Sequence, residues 1–124
     1  MIEDEVARSA GEYRSIFQAN KPFKHVLIEG FLKEQVANEL VDTFPKFAKE
    51  NAIGDDGTVG GKASIRSIAD INQCYSLLYD YLNSPEFLKL MSEMTGIEKL
   101  IADPELYGGG THENLDGQEL DTHI

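Results

Sequence analysis

Residues 108–124 read Gly-Gly-Gly-Thr-His-Glu-Asn-Leu-Asp-Gly-Gln-Glu-Leu-Asp-Thr-His-Ile, and this stretch decides the fold that the sequence predicts. A glycine run leads to a turn signal at residues 114–117, where Gly117 can take the positive φ of a tight turn. Residues 119–124 then alternate as in a β-strand. One strand face carries Leu120, Thr122 and Ile124, and the other carries Glu119, Asp121 and His123. A histidine two residues after a carboxylate, on the same strand face, is an arrangement suited to binding a metal.

The segments on both sides of the turn carry a family resemblance. Residues 103–112 read Asp-Pro-Glu-Leu-Tyr-Gly-Gly-Gly-Thr-His, and residues 116–123 read Asp-Gly-Gln-Glu-Leu-Asp-Thr-His. Together they resemble the iron(II)/2-oxoglutarate-dependent oxygenases of the prolyl-4-hydroxylase-like group. The resemblance is tight over residues 84–123 and looser up to residue 82.

The resemblance implies an iron ligand in the predicted last strand. In that family a His-x-Asp motif supplies the first two ligands of a triad of two histidines and one carboxylate. His123 matches the first histidine and Ile124 matches the intervening residue. The aspartate would follow next, and the second histidine and the basic residue that binds 2-oxoglutarate would lie further on. We therefore expect the amino-terminal part of an oxygenase, truncated within the motif and inactive by itself, with Fe(II) and 2-oxoglutarate bound by the complete enzyme.

Two other side chains are candidates for the same site. Asp121 faces the same side of the predicted strand as His123, either as a group that orients a ligand or as a solvated carboxylate, and the second role is favoured. His112 either approaches the mouth of the active site or is a turn residue. A surface zinc or nickel site made of these three residues is a further alternative. It is disfavoured because three groups from one strand and its loop rarely converge.

The composition limits the classes of partner. The chain has 124 residues, with 22 Asp and Glu against 11 Lys and Arg, and a formal net charge of −11. That balance argues against a nucleic-acid partner and against anionic membranes, because both require basic residues. The single cysteine, Cys74, excludes an intrachain disulfide and is expected in the core. Since no signal peptide or long apolar run is visible, we expect a cytoplasmic protein.

Residue periodicity predicts an α+β fold in which three or four helices pack on a small, incomplete antiparallel sheet. We expect a single domain, with residues 1–96 as a mainly helical support and residues 97–124 as the start of the jelly-roll sheet that the family resemblance implies. Residues 51–62, rich in glycine and aspartate, predict a loop. The predicted helices are 3–19, 33–44, 68–82 and 84–95, and the predicted strands are 23–28, 100–102 and 119–124.

A second reading of the function remains open from the sequence. The chain is either part of an oxygenase acting on a small-molecule or peptidyl substrate, or a non-enzymatic, acidic interaction module derived from that family. Because so few strands cannot close a barrel, the sheet is expected to present an unpaired edge. Such an edge favours pairing with a second copy, that is, a homodimer.

Overall fold

A computed structural model describes residues 1–53, 62–103 and 110–117, and within these ranges the protein is an α+β fold, as predicted. The described residues form five α-helices, two short 3-10 helices and a two-stranded sheet. None of these helices has the length and apolar character needed to cross a lipid bilayer. The helices are α1 (Asp4–Arg8), α2 (Ala10–Ala19), α3 (Glu34–Asp42), α4 (Gln73–Leu82) and α5 (Pro85–Thr95), the 3-10 helices are Lys49–Ala52 and Ile68–Asp70, and the strands are β1 (Lys62–Ile65) and β2 (Thr111–Asn114).

The hydrophobic core lies where α1 and α2 pack against α5. Val6 and Met94 are each only 2% exposed, and Ala10 and Leu90 complete the buried cluster. Partly buried side chains surround this cluster and extend it toward the segment before α3. They are Ile2, Tyr13, Ile28, Phe31 and Met91.

The helix predicted over residues 3–19 is interrupted at Ser9. The Ser9 hydroxyl donates a 3.0 Å hydrogen bond to the Glu5 carboxylate, and its backbone N–H donates to Glu5 O at 2.9 Å. Arg8 also binds the Glu5 carboxylate at 2.7 Å, which lowers the pKa of Glu5. Serine side chains favour helix ends over helix interiors because of such local bonds. The apolar stripe nevertheless continues across the break, since Val6 and Ala10 share one core.

The strand predicted at residues 23–28 is wrong. These residues form no strand, and Phe23 and Leu27 are 68% and 81% exposed. Local bonds take the place of a sheet partner: the Asn20 amide donates to His25 O at 3.0 Å, and the His25 ring bonds Phe23 O at 2.9 Å. A run of apolar residues therefore gave the wrong secondary structure, because periodicity cannot identify a pairing partner.

The amino terminus is instead held by the segment that follows. Ile2 forms an isolated antiparallel bridge with Leu32. On either side of that bridge, Glu3 N–H donates to Phe31 O at 3.1 Å and Lys33 N–H donates to Met1 O at 3.0 Å. These two hydrogen bonds, which make up the bridge, fix the start of the chain beside the entry to α3.

The predictions for residues 33–44 and 68–82 are confirmed in outline by α3 and α4. The 68–82 helix begins later than predicted, because Ile68–Asp70 is a 3-10 helix and the Asn72 side chain caps α4 by accepting from Tyr75 N–H. Cys74 and Tyr75 are buried, and the Tyr75 hydroxyl donates to Leu40 O at 2.9 Å. Burial raises the pKa of the Cys74 thiol, so it stays protonated at neutral pH.

The boundaries of α5 follow the sequence signals closely. The Ser84 hydroxyl accepts from Phe87 N–H at 3.1 Å, and Pro85 occupies the first helical turn. Gly96 takes a left-handed conformation with φ +75° just past the last turn. By contrast, the strand predicted at residues 100–102 is wrong, since these residues form no strand and Ile101 is 87% exposed.

Replacing Met94 with alanine should destabilise the protein by about 2–5 kcal/mol, because it leaves a cavity in the helical core. The free energy of unfolding from urea titration measures this effect. The matched control is Ile101→Ala, which removes an apolar side chain that is 87% exposed and should change stability by less than about 0.5 kcal/mol. Equal effects of the two changes would contradict the core described above.

Replacing Ser84 with alanine should destabilise the protein by about 1 kcal/mol, because the Phe87 N–H loses its acceptor. The same urea titration applies. Ser15→Ala is the control, since the exposed Ser15 hydroxyl only donates to Gly11 O within α2. Its expected effect is below about 0.5 kcal/mol. A Ser84 variant as stable as the Ser15 variant would show that the cap contributes nothing.

Candidate functional site

The candidate site is organised by the two-stranded sheet that precedes residues 118–124. β1 and β2 run antiparallel, and Ala63 pairs with Glu113 while Ser64 pairs with His112. Side chains alternate across a strand, so these two pairs lie on opposite faces of the sheet. The sequence prediction had placed Lys62 in a loop, and β1 was not foreseen.

The inner face of the sheet packs against the segment that leads into the Lys49–Ala52 helix. Ala63 is buried, and Glu113 is partly buried on the same face. Between the sheet and the segment lies a small space of about 10 Å³, roughly enough for one water molecule. Its lining comprises Phe44, Pro45, Lys46, Asn51, Ala63, Ile65, Thr111 and Glu113.

Glu113 is the residue on this face that sequence reasoning missed. One carboxylate oxygen, Oε2, is buried and has no hydrogen-bond partner among the described residues. Leaving such an atom without a partner is costly, so its presence here is unusual. The signal for it in the sequence was weak, because Glu113 lies between the glycine run and the predicted turn at residues 114–117.

The outer face carries the candidate residue His112. Its side chain is exposed, and His112 pairs in β2 with Ser64 of β1. His112 is therefore a strand residue, and the alternative that it is a turn residue is wrong. The turn itself follows the strand: Asp116 and Gly117 form it, and Gly117 has φ +81°, as the sequence predicted.

The remaining candidates, His123 and Asp121, lie outside the described residues, as does the strand predicted for residues 119–124. Within residues 1–53, 62–103 and 110–117, no three His, Cys, Asp or Glu side chains are close enough to hold a metal ion together. The residues described here therefore do not make an iron site, and no chemical step through iron is derived from them.

Gly110 explains how β2 reaches β1. Its φ is +130°, and a Cβ at this position would lie only 2.5 Å from Ile65 O. A bare backbone is needed for such an approach. Gly110 thus admits the close approach of this chain's own strand β1. Gly108 and Gly109 lie outside the described residues.

Comparison with protein-family models, with curated proteins and with solved structures finds no match for this chain.

Replacing Gly110 with alanine should destabilise the protein by at least about 1–3 kcal/mol, because the new Cβ meets Ile65 O and the backbone is strained. Gly11→Ala is the control: a Cβ there meets nothing within 4 Å, and the change should stabilise α2 by about 0.4–1 kcal/mol. Urea titration compares the two variants. A Gly110 variant as stable as the parent protein would rule out this close approach of the strands.

Proposed function

We propose that this chain supplies the helical support and the first strands of an iron(II)/2-oxoglutarate-dependent oxygenase. One observation carries the proposal: β2 is brought against β1 through Gly110 and is followed by the Asp116–Gly117 turn, which precedes Asp121 and His123 in the sequence. In the resembled family a glycine-rich approach of this kind precedes the strand with the His-x-Asp motif.

The helix α5, which precedes β2 along the chain, also supports the proposal. The tight part of the resemblance begins at Ser84, which is also where α5 begins, with the cap and the ending glycine that the sequence shows. Met94 and Leu90 bury one side of α5 in the core.

In the proposed complete site, His123 would be an iron ligand. Asp121 would orient a ligand by hydrogen bonding or stay solvated. Bound iron and 2-oxoglutarate would supply the oxidising power for hydroxylation, and the protein would position the substrate and exclude water. His112, on the exposed outer face of β2, has no ligand role in this proposal.

The first test is the coding sequence after residue 124. The proposal expects an aspartate codon next, followed by codons for a distal histidine and a basic residue. A protein extended in this way should release succinate from 2-oxoglutarate in the presence of Fe(II).

In the extended protein, His123→Ala should lower the rate of succinate release by at least about 100-fold. Loss of a residue that only orients a metal ligand already lowers activity by about 10- to 100-fold, and loss of the ligand itself should lower it at least as much. His112→Ala, the matched control, should change the rate by less than about twofold because its side chain is exposed on the outer sheet face. Iron content is measured alongside. Equal rates for the His123 variant and its parent would refute the proposal, as would an extended protein that binds no iron.

A specific observation also favours the second candidate, an interaction module without enzymatic activity. Several large apolar side chains are strongly exposed, among them Val41 at 74%, Leu27 at 81% and Ile101 at 87%. Exposed apolar side chains that lie together in one patch are typical of surfaces that bind other proteins. A stop codon directly after residue 124, together with a concentration-dependent dimer in sedimentation, would favour this candidate over the oxygenase.

A further inference from the structure

A groove between α1 and α5 has an apolar floor. Ile2, Ala7, Tyr81 and Leu90 contribute to its lining, and its volume is about 260 Å³. That volume is slightly below the range of sites for drug-sized ligands, so it suits one or two side chains of a partner. Tyr81 is partly buried, and burial together with the charge of Glu86 raises the pKa of its phenol, which therefore stays neutral.

The rim of the groove is acidic. Four carboxylates line it, with a single ammonium group among them. That ammonium belongs to Lys89, which is 80% exposed and only loosely paired with Glu93 at 3.9 Å. Lys33 reaches Asp4 from outside the groove at 3.8 Å. The carboxylates are those of Glu3, Asp4, Glu86 and Glu93.

The walls of the groove are fixed before any partner binds. Leu90 belongs to the core cluster, and Ile2 is held by its bridge to Leu32. The Tyr81 ring packs against Phe87, with ring centroids 5.3 Å apart. A preformed groove saves the ordering cost that a flexible surface would add to binding.

We propose that this groove, formed by α1 and α5, binds a basic, partly apolar peptide segment of another protein. An arginine or lysine side chain fits it in two respects: the aliphatic stem covers the apolar floor, and the charged end meets the carboxylates of the rim. The Tyr81 ring provides an aromatic surface on which a guanidinium can also rest.

The charge of the chain decides against a second copy as the occupant. With 22 acidic and 11 basic residues, the surface of a second copy is mainly acidic, so it does not complement the acidic rim of the groove. The rim equally repels the phosphates of nucleic acids. The groove is formed mainly by α1 and α5, and its proposed binding of a peptide is independent of the proposed oxygenase function.

The test uses the full 124-residue chain and a short, fluorescein-labelled peptide in which arginine alternates with leucine. Fluorescence anisotropy at low ionic strength should show saturable binding that weakens as salt is added. A second peptide carries citrulline in place of each arginine, which keeps the shape and removes the charge. It should bind at least about fivefold more weakly.

Two variants of equal net charge locate the binding surface. Glu86→Gln with Glu93→Gln removes two rim carboxylates and should raise the Kd for the arginine peptide about fivefold. Glu34→Gln with Asp42→Asn removes two exposed carboxylates from α3 and should change the Kd by less than about twofold. Circular dichroism confirms that both variants keep their helices.

Backbone amide shifts give a second readout that needs no variant. Titration with the arginine peptide should move the resonances of Ala7, Lys89 and Leu90 and leave those of α3 in place. Equal weakening by the two double variants would overturn the proposal, because general charge attraction would then explain the binding. Equal affinity for the citrulline peptide, shifts confined to other elements, or no binding at all would overturn it too.

Discussion

The packing of α2 against α5 is the constraint on which the rest of the structure depends. A hydrogen bond joins the two helices near their carboxyl ends, where the Gln18 amide donates to Thr95 O at 2.7 Å. A Cβ on Gly96 would lie 3.2 Å from the Arg14 guanidinium, so the glycine both ends α5 and leaves room for α2. The α5 helix therefore enters the core at one end and fixes where the following segment starts.

Local chemistry explains which parts of this arrangement could be predicted from the sequence. Serine, proline and glycine around residues 84–96 each act within one helical turn of their own position, so the ends of α5 were predictable. The turn at Gly117 and the burial of Cys74 were predictable for the same reason. The α+β class is confirmed, but not by the strands on which it was predicted: residues 23–28 and 100–102 form no strand, and the described strands are β1 and β2. Ser9 shows the limit of this approach, since the continuous apolar stripe predicts one helix whereas α1 ends at Arg8 and α2 begins at Ala10.

Pairing between distant segments could not be predicted. β1 and β2 are separated by α4 and α5 along the chain, and only their spatial register defines them as strands. Residues 23–28 are more apolar than β1, yet they form no strand because their polar backbone groups are bonded locally or lie in solvent. Glu113 is a further case: its inward position follows from the pairing with Ala63, which no local pattern reveals. The site residues foreseen from the resemblance remain predictions, because Asp121 and His123 lie outside the described residues.

The sheet and the helical core differ in how far each can sustain itself. A two-stranded sheet is marginally stable in water, so β1 and β2 depend on the segment that covers their inner face. That cover includes Ala52, which is buried beside the sheet, and the space around Glu113 shows that it is not filled completely. The buried, unpartnered carboxylate oxygen adds a cost that the helical core does not carry. A binding function at the α1–α5 groove can therefore persist when the sheet is loosened, whereas a catalytic site built on β2 requires both parts to be intact.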